Sequence, residues 1–532
     1  MDHLSSMDAS FLHLETPETP MHVGSLMLFD LPEGYRGDYH DDVKAQLAKR
    51  LHLARLFHRK LAPMPFELAD PVWIVDDDID LDYHVRSVTL GRPGTMAQLE
   101  VLVARLHSSL LDRSRPLWEV YVIDGLANGQ IAYYSKAHHS GIDGKAGIEI
   151  AKVFYDVMPQ AREVRPPRPA RAANAYQLGV AELLQAAVSN SMAQYVKLGR
   201  MLPQMSKAVG ATAAQFIRTR RKAPRERSLG LKMAPKTIFN ASITNQRSFG
   251  SLSVPLPELK SLGKQMGGTL NDAVMAMCSG ALRSFLHERD LLPKTSLIAL
   301  VPVSLREADD GSNNNQVSAI RVDLATDLAD PAKRFQAIRE SSEASKGLIC
   351  GLKAILSTDL PVAGSPWLMS GMASLYGRSN LGTRLPRLAN VAISNVPGPA
   401  VPLYMAGARM THYYPVSIPY HGVGLNITVQ SYAGEMEFGI TACRRVLSQP
   451  EVHELAQHLL ASLRELQRLA PVAVQETKLP APAATASVRV ATPVAKKRVS
   501  PKRVAEPKPA ANFTRSAAAR TGRTLEKVAA LR

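Results

Sequence analysis

The chain has 532 residues, 45% of them hydrophobic and 6% aromatic. That length and apolar content exclude a small disulfide-bound scaffold or a largely disordered chain, and fit two large lobes with extensions. The formal charge of +17 is uneven: from Pro471 onward thirteen Lys or Arg face three Glu, a net of +10, which leaves +7 for the preceding 470 residues. Three scattered cysteines (Cys278, Cys350, Cys443) suggest no disulfide framework or zinc ribbon, and a reducing compartment fits them. The acidic N-terminal stretch lacks a signal-peptide core, and no window offers ~18 consecutive apolar residues, so a cytoplasmic protein without a membrane-spanning helix is expected.

Residues 1–160 alternate strand and helix patterns. The run "GSLMLFDL" reads as a strand, and "DDVKAQLAKRLHLARLF" carries apolar residues at helical spacing. In "MAQLEVLVARLHSSLLD" the residues Leu99, Val103, Leu106 and Leu110 form one helical stripe. The segment "LWEVYVIDGLANGQIAYYSKAHH" reads as two strands around a glycine turn, and residues 144–158 read as helix. A Pro/Arg-rich stretch near 159–173 ends this first lobe. Residues 161–236 are expected to hold a linker and amphipathic helices, which either pack on the protein or lie on a lipid interface with a basic end on head groups.

A second lobe is expected over 237–470. It opens with strand then helix in "FGSLSVPLPELKSLGKQMG". A helix follows in "TLNDAVMAMCSGALRSFLHER", with Thr269 or Asn271 near its cap. The runs "TSLIALVPVSLR" and "LANVAISNVPGP" read as strands, the second ending in a tight turn. "GLNITVQSYAGEMEFGITAC" reads as a hairpin turning at Ala433-Gly434, and "PEVHELAQHLLASLRELQRLA" as the closing amphipathic helix. Residues 471–532, rich in Ala, Pro, Lys and Arg, read as a disordered basic tail. Such a tail either keeps the protein soluble or binds a polyanionic surface. Anionic lipid is preferred over nucleic acid, although composition alone does not choose between them.

The chemistry concentrates in "YYSKAHHSGIDG". A strand through this run sends the His138 and His139 rings to opposite faces, so one ring is expected to do chemistry and the other to support structure. Gly141 and Gly144 permit a tight turn and a close backbone approach. Asp143 is near enough to fold back on the histidines or to pair with a distant arginine. A metal site would need a third ligand, and the opposed rings argue against one. A structural pair and a general base remain, because an imidazole titrates in the range suited to taking a proton from a hydroxyl at neutral pH. Spacing alone does not choose the reaction.

The pattern His138, His139, Asp143, Gly144 resembles the HHxxxDG signature of CoA-dependent acyltransferases and peptide-synthetase condensation domains. The stretches "DASFLHLETPETPMHVG", "LLDRSRPLWEVYVIDGL", "FNASITNQR", "TLNDAVMAMCSGALR", "PVSLR" and "ISNVPGP" narrow the resemblance to the bacterial wax ester synthase/diacylglycerol acyltransferase family, over roughly residues 3–465. The resemblance implies an α/β (α+β) protein with a two-lobed chloramphenicol-acetyltransferase-like fold and an active-site tunnel between lobes. It implies fatty acyl transfer from acyl-CoA, a substrate and not a cofactor, to diacylglycerol or a long-chain alcohol. Neither a metal nor a protein partner is expected, and a peripheral place on the inner membrane or on storage-lipid granules is. Carrier-protein-dependent condensation and non-catalytic lipid or granule binding are the competing readings.

The same resemblance distributes roles. His139 is the general base and His138 its structural support. Asp143 is an ion-pair partner within the fold, with Arg306 as a speculative counterpart, and Gly144 serves the turn. Asn271 is the candidate oxyanion donor, with helix capping as its alternative, and Asp272 is structural. Pro116, Leu117 and Trp118 match a family motif. Trp118 either packs as core beneath the turn or lines the tunnel. Ser394, Asn395 and Gly398 are expected to shape the second lobe's edge of it. One departure stands out: Cys443 occupies a position after the "FGI" strand where an acidic residue is expected, so the local structure there is a point to check.

Overall fold

Two six-stranded sheets organise the chain in a computed structural model that describes residues 2–62, 70–76, 78–142, 150–166, 233–304, 317–352 and 387–469. Its first helix is α1 (Ser6–Leu14), capped by the Ser5 hydroxyl, which accepts the Asp8 N–H at 3.1 Å. Then come β1 (His22–Asp30), α2 (Tyr39–Arg50), β2 (Val85–Thr89), α3 (Met96–His107), β3 (Trp118–Asp124) and β4 (Ile131–His138). The Thr95–Gln98 capping box starts α3 where its apolar stripe begins. Residues 150–154 are helical, part of the helix expected over 144–158.

The second sheet begins with β5 (Arg247–Pro255), followed by α4 (Leu256–Gln265) and α5 (Leu270–His287). Strands β6 (Ile298–Ser304) and β7 (Val317–Asp323) and helix α6 (Pro331–Leu352) come next. The chain continues through β8 (Val391–Val396), β9 (Tyr404–Met405), β10 (Ala408–Val416), β11 (Leu425–Tyr432) and β12 (Glu435–Cys443), and closes with α7 (Gln449–Leu469). The β11–β12 hairpin turns at Ala433 and Gly434, both at positive φ (45° and 97°), as expected of this two-residue loop. None of the described helices is long and apolar enough to cross a membrane.

The first sheet runs β9-β10-β1-β4-β3-β2, and the second β7-β6-β8-β11-β12-β5. In the first order a strand from the expected second lobe crosses into the sheet of the first. Residues 404–416 lie within the stretch assigned to the second lobe, yet β10 pairs antiparallel with β1 from Arg409↔Asp30 to Val416↔Gly24. The physical reason is the edge of β1: a strand from the far half of the chain satisfies backbone groups that would otherwise lie open.

Helix α2 covers one face of the first sheet, where Tyr39, Val43 and Leu47 pack with Phe29, Val120, Val122 and Tyr133. Helix α3 covers the other, where Leu99, Val103 and Ala104 meet Leu26, Ile123 and Tyr134. That second cluster also takes in Phe249 of β5 and Tyr414 of β10, so the α3 face is where the sheets meet. Polar bonds reinforce the contact. Glu100 of α3 accepts the Ser251 N–H and hydroxyl at 2.8 and 2.6 Å, and its other oxygen meets His453 Nε2 of α7 at 2.6 Å. In the second lobe the largely buried α5 packs under the sheet with α7 beside it.

Residues 167–232 of the linker expected over 161–236, the tail, Asp143, Gly144 and Arg306 lie outside the described residues.

Candidate active site

Strand β4 runs between β1 and β3 and delivers the histidines at its end. It stops at His138, one residue earlier than the alternation predicts, and His139 opens the turn. His138 is fully buried and His139 half-buried, so the two residues occupy different environments. Gly141 closes the turn, its N–H donating to the His138 carbonyl at 3.0 Å. A side chain at Gly141 would overlap Leu56.

His138 is locked. Its backbone N–H donates to the Leu117 carbonyl at 3.0 Å. Its Nδ1 accepts the Ser140 N–H at 3.1 Å and stands 2.7 Å from the Ser140 hydroxyl. A backbone amide can only donate, so the ring proton belongs on Nε2, which faces Glu15 Oε1 at 3.4 Å. Glu15, at the C-cap of α1, is almost wholly buried. Its Oε1 also accepts the Met21 N–H at 2.9 Å, and its Oε2 receives Arg113 Nε and Nη2 at 3.1 and 2.9 Å. Burial alone would push the Glu15 carboxyl up. The His138 contact, the Arg113 charge and the Met21 amide outweigh it and hold the group at about 2.

His139 is held by the same N-terminal segment. Its N–H donates to the Met21 carbonyl at 2.8 Å, and its imidazole stacks on Phe11 of α1, ring centroids 4.1 Å apart and planes 13° from parallel. The strap from Glu15 to Met21 is tied in turn to the second lobe. Arg247, buried at the start of β5, donates from Nη2 to the Glu18 carbonyl at 2.8 Å and from Nη1 to the carbonyls of Gln246 and Thr244. Burial pulls the Arg247 guanidinium down to about 10.

A buried polar row lies behind the pair. Lys136, two residues before His138, sits 3.1 Å from Glu119 and donates to the carbonyls of Leu106 and Ser109, tying down the end of α3. His22 pairs in register with His138 and donates from Nε2 to the His107 carbonyl at 2.8 Å. His107 Nε2 reaches the Ser417 carbonyl at 2.9 Å, while its Nδ1 meets the Tyr134 hydroxyl. Burial pushes His22 well below the usual imidazole range and His107 down to about 3, so both stay neutral at pH 7.

The remaining predicted residues divide. Leu117 and Pro116 are buried beside the turn, Leu117 through its carbonyl bond to His138. Trp118 is core, 1% exposed, stacked on His84 at 4.2 Å and donating Nε1–H to the Phe57 carbonyl at 3.1 Å. The Phe57 ring stands 4.9 Å from the indole at 46°, and the side chain packs as core.

Thr269 caps α5, and Asp272 Oδ2 accepts the Thr269 N–H at 2.9 Å. The capping alternative for Asn271 therefore falls away: it sits half-buried in the first turn, with no side-chain bond to the histidine turn among the described residues. Ser394 and Asn395 are half-buried at the end of β8. Gly398 sits so close to the Ser431 carbonyl that a Cβ there would overlap it. Cys443 is the last residue of β12, in register opposite Arg247, and its thiol accepts the Thr244 N–H at 3.3 Å.

Four residues of this site carried no role from sequence: Phe11, Glu15, Arg113 and Arg247. Three of them stood inside the stretches that carried the family resemblance, "DASFLHLETPETPMHVG" and "LLDRSRPLW", and Arg247 closes "FNASITNQR".

The family model for the wax ester synthase/diacylglycerol acyltransferase catalytic domain matches residues 4–274, and that for the WS/DGAT C-terminal domain matches 313–467. A protein of Mycobacterium tuberculosis named "Probable diacyglycerol O-acyltransferase tgs2" is 37% identical over 483 residues, spanning 88% of this chain and 99% of its own. The solved wax ester synthase/diacylglycerol acyltransferase from Marinobacter aquaeolei VT8 is 31% identical, with a TM-score of 0.61 over 88% of this chain and 99% of that one. The first condensation domain of the calcium-dependent antibiotic synthetase is 16% identical, covering 88% of this chain and 96% of its own, with a TM-score of 0.52; it shares the two-lobed fold. With its catalytic and C-terminal models both matched and near-full-length relatives aligned, the chain belongs to the wax ester synthase/diacylglycerol acyltransferase family.

Proposed function

We propose that the protein transfers a fatty acyl group from acyl-CoA to diacylglycerol or a long-chain alcohol, with His139 as general base. The acceptor hydroxyl gives its proton to the imidazole as its oxygen attacks the thioester carbonyl. The C–O bond forms, the C–S bond breaks, and the imidazolium returns the proton to the departing CoA sulfur. The products are an oxygen ester and free CoA. The acceptor is itself the nucleophile, so no serine or cysteine nucleophile is required.

The observation that carries this reading is the unequal fate of the two histidines. His138 is buried with Nδ1 occupied and Nε2 turned to Glu15, whereas His139 opens the turn half-buried, its backbone fixed by Met21. Base catalysis of this kind supplies ~10²–10⁴-fold. Holding two long apolar substrates together in a passage between the lobes would supply much of the rest. Asn271 is kept as the proposed donor to the developing oxyanion, Asp143 and Gly144 as proposed members of the turn, and Ser394 and Asn395 as proposed edges of the passage. Peripheral attachment to a membrane or lipid granule belongs to the same proposal, with the basic tail as its contact.

The test is to incubate purified protein with labelled palmitoyl-CoA and either acceptor, then resolve the neutral lipids. The parent should form labelled ester, and His139→Ala should lose at least ~10²-fold in turnover. Undiminished ester formation by His139→Ala would refute the base assignment.

A further inference from the structure

Helix α1 meets the histidine turn with one face. Phe11 and Glu15 are four residues apart, so they project to the same side of the helix end, and the Glu15 N–H closes that turn on the Phe11 carbonyl at 3.2 Å. The two side chains reach different parts of one assembly. Glu15 faces the His138 ring and grips the Met21 amide. Met21 in turn holds the backbone of His139. Phe11 lies flat against the His139 imidazole, 4.1 Å between centroids. Backbone and ring of His139 are therefore fixed from one piece of structure, by two separate contacts.

We propose that Phe11 is a positioning residue for His139, its flat face fixing the plane in which the imidazole meets the acceptor hydroxyl. The hydrogen bond to Met21 sets where the backbone sits, and the stack acts on the side-chain torsions of the ring itself. A ring stacked within 13° of parallel gives up tilt about those torsions at little cost, because two flat π-faces keep their contact only while they stay parallel. General base catalysis needs the nitrogen lone pair aimed at the hydroxyl, and orientation of that kind is where large rate factors are gained or lost. The strap places this device under control of both lobes, since Arg247 of β5 donates to the Glu18 carbonyl between Glu15 and Met21. The proposal rests on reading His139 as the base.

The competing account is that Phe11 merely fills space beneath the turn. Phe11→Leu separates the two, because leucine is apolar and of comparable bulk but has no flat face. We expect Phe11→Leu to remain folded, to lower kcat roughly 10-fold, and to leave KM for palmitoyl-CoA within about 2-fold of the parent. Phe11→Tyr, which restores the face, should recover most of the lost kcat. In a His139→Ala background, single-turnover rates should be the same with Phe11 or Leu at this position, since a residue acting through an absent ring has nothing left to position. If Phe11→Leu yields no folded protein, Phe11→Met carries the same comparison.

Parental kcat in the folded leucine or methionine variant would overturn the proposal. So would a loss confined to KM, or an equal loss in the His139→Ala background. Full turnover by His139→Ala alone would bring down the base assignment itself, and that outcome is distinct from failure of the stack.

Discussion

Glu15 is the sharpest point at which to test the electrostatics of this site, through the variant Glu15→Gln. The glutamine oxygen can still accept the Met21 N–H, but the charge facing Arg113 and His138 is gone. In the folded protein the Glu15 carboxyl lies at about 2, against 4.5 for the free side chain. Each pK unit is worth roughly 1.4 kcal/mol, so the ionised carboxylate contributes about 3 kcal/mol to stability at pH 7. The sign follows from the depressed value. The unfolded chain takes up the proton first as pH falls, so the contribution is complete above about pH 5 and drains away down to about pH 2. Removing one member of a buried charge network costs a similar ~3–5 kcal/mol at neutral pH. The assay is chemical denaturation of parent and variant from pH 8 to pH 3. The gap between their stabilities should be widest at neutral pH and close steadily below pH 5. A constant gap across that range, or none at pH 7, would refute the reasoning, because the cost would then not reside in the ionised form.

Two further predictions concern the contact between sheets. A Cβ at Gly439 would overlap the Pro415 carbonyl where β12 passes β10, and the obstacle is backbone that no rotamer can relieve. Gly439→Ala should therefore cost about 3 kcal/mol, the upper end of the overpacking range, read as a lowered denaturation midpoint. Glu100→Gln should weaken the junction of α3 with β5 and α7 in a pH-dependent way. The hydrogen bond to Glu100 raises His453 above its ordinary value, so the folded protein favours the protonated ring. That stabilisation is complete below the unfolded histidine value near 6.5 and fades as pH rises through the folded one. The midpoint difference between parent and Glu100→Gln should thus be larger at pH 6 than at pH 9, and equal differences would refute the pairing.

Much of the fold could be read along the chain because its signals are local. The stripe Leu99, Val103 and Leu106 marks α3 through the helical period, and the paired runs around the Gly125–Gly129 turn mark β3 and β4. The Ala433-Gly434 turn sits where two residues must accept positive φ. The histidine pair was equally visible, since a motif of adjacent residues needs no tertiary context to be recognised. Strand alternation reaches only to His138, where β4 ends and His139 opens the turn.

What sequence could not supply was who touches whom across long separations. Phe11 meets His139 across 128 residues, Glu15 meets His138 across 123, and Arg247 reaches Glu18 across 229. No periodicity encodes such contacts, since each depends on where a sheet edge or a helix end comes to rest. The same holds for β10, whose own pattern says strand but not which sheet; only the open edge of β1 decides that it joins the first. Asn271 and Thr269 were both plausible caps by composition, and the choice fell to Thr269 through the reciprocal bond with Asp272. Local patterning thus determined the elements and the chemical motif. The tertiary structure decided the surroundings that hold one imidazole still, because burial, pairing and ring stacking are properties of assembled neighbours and not of any segment alone.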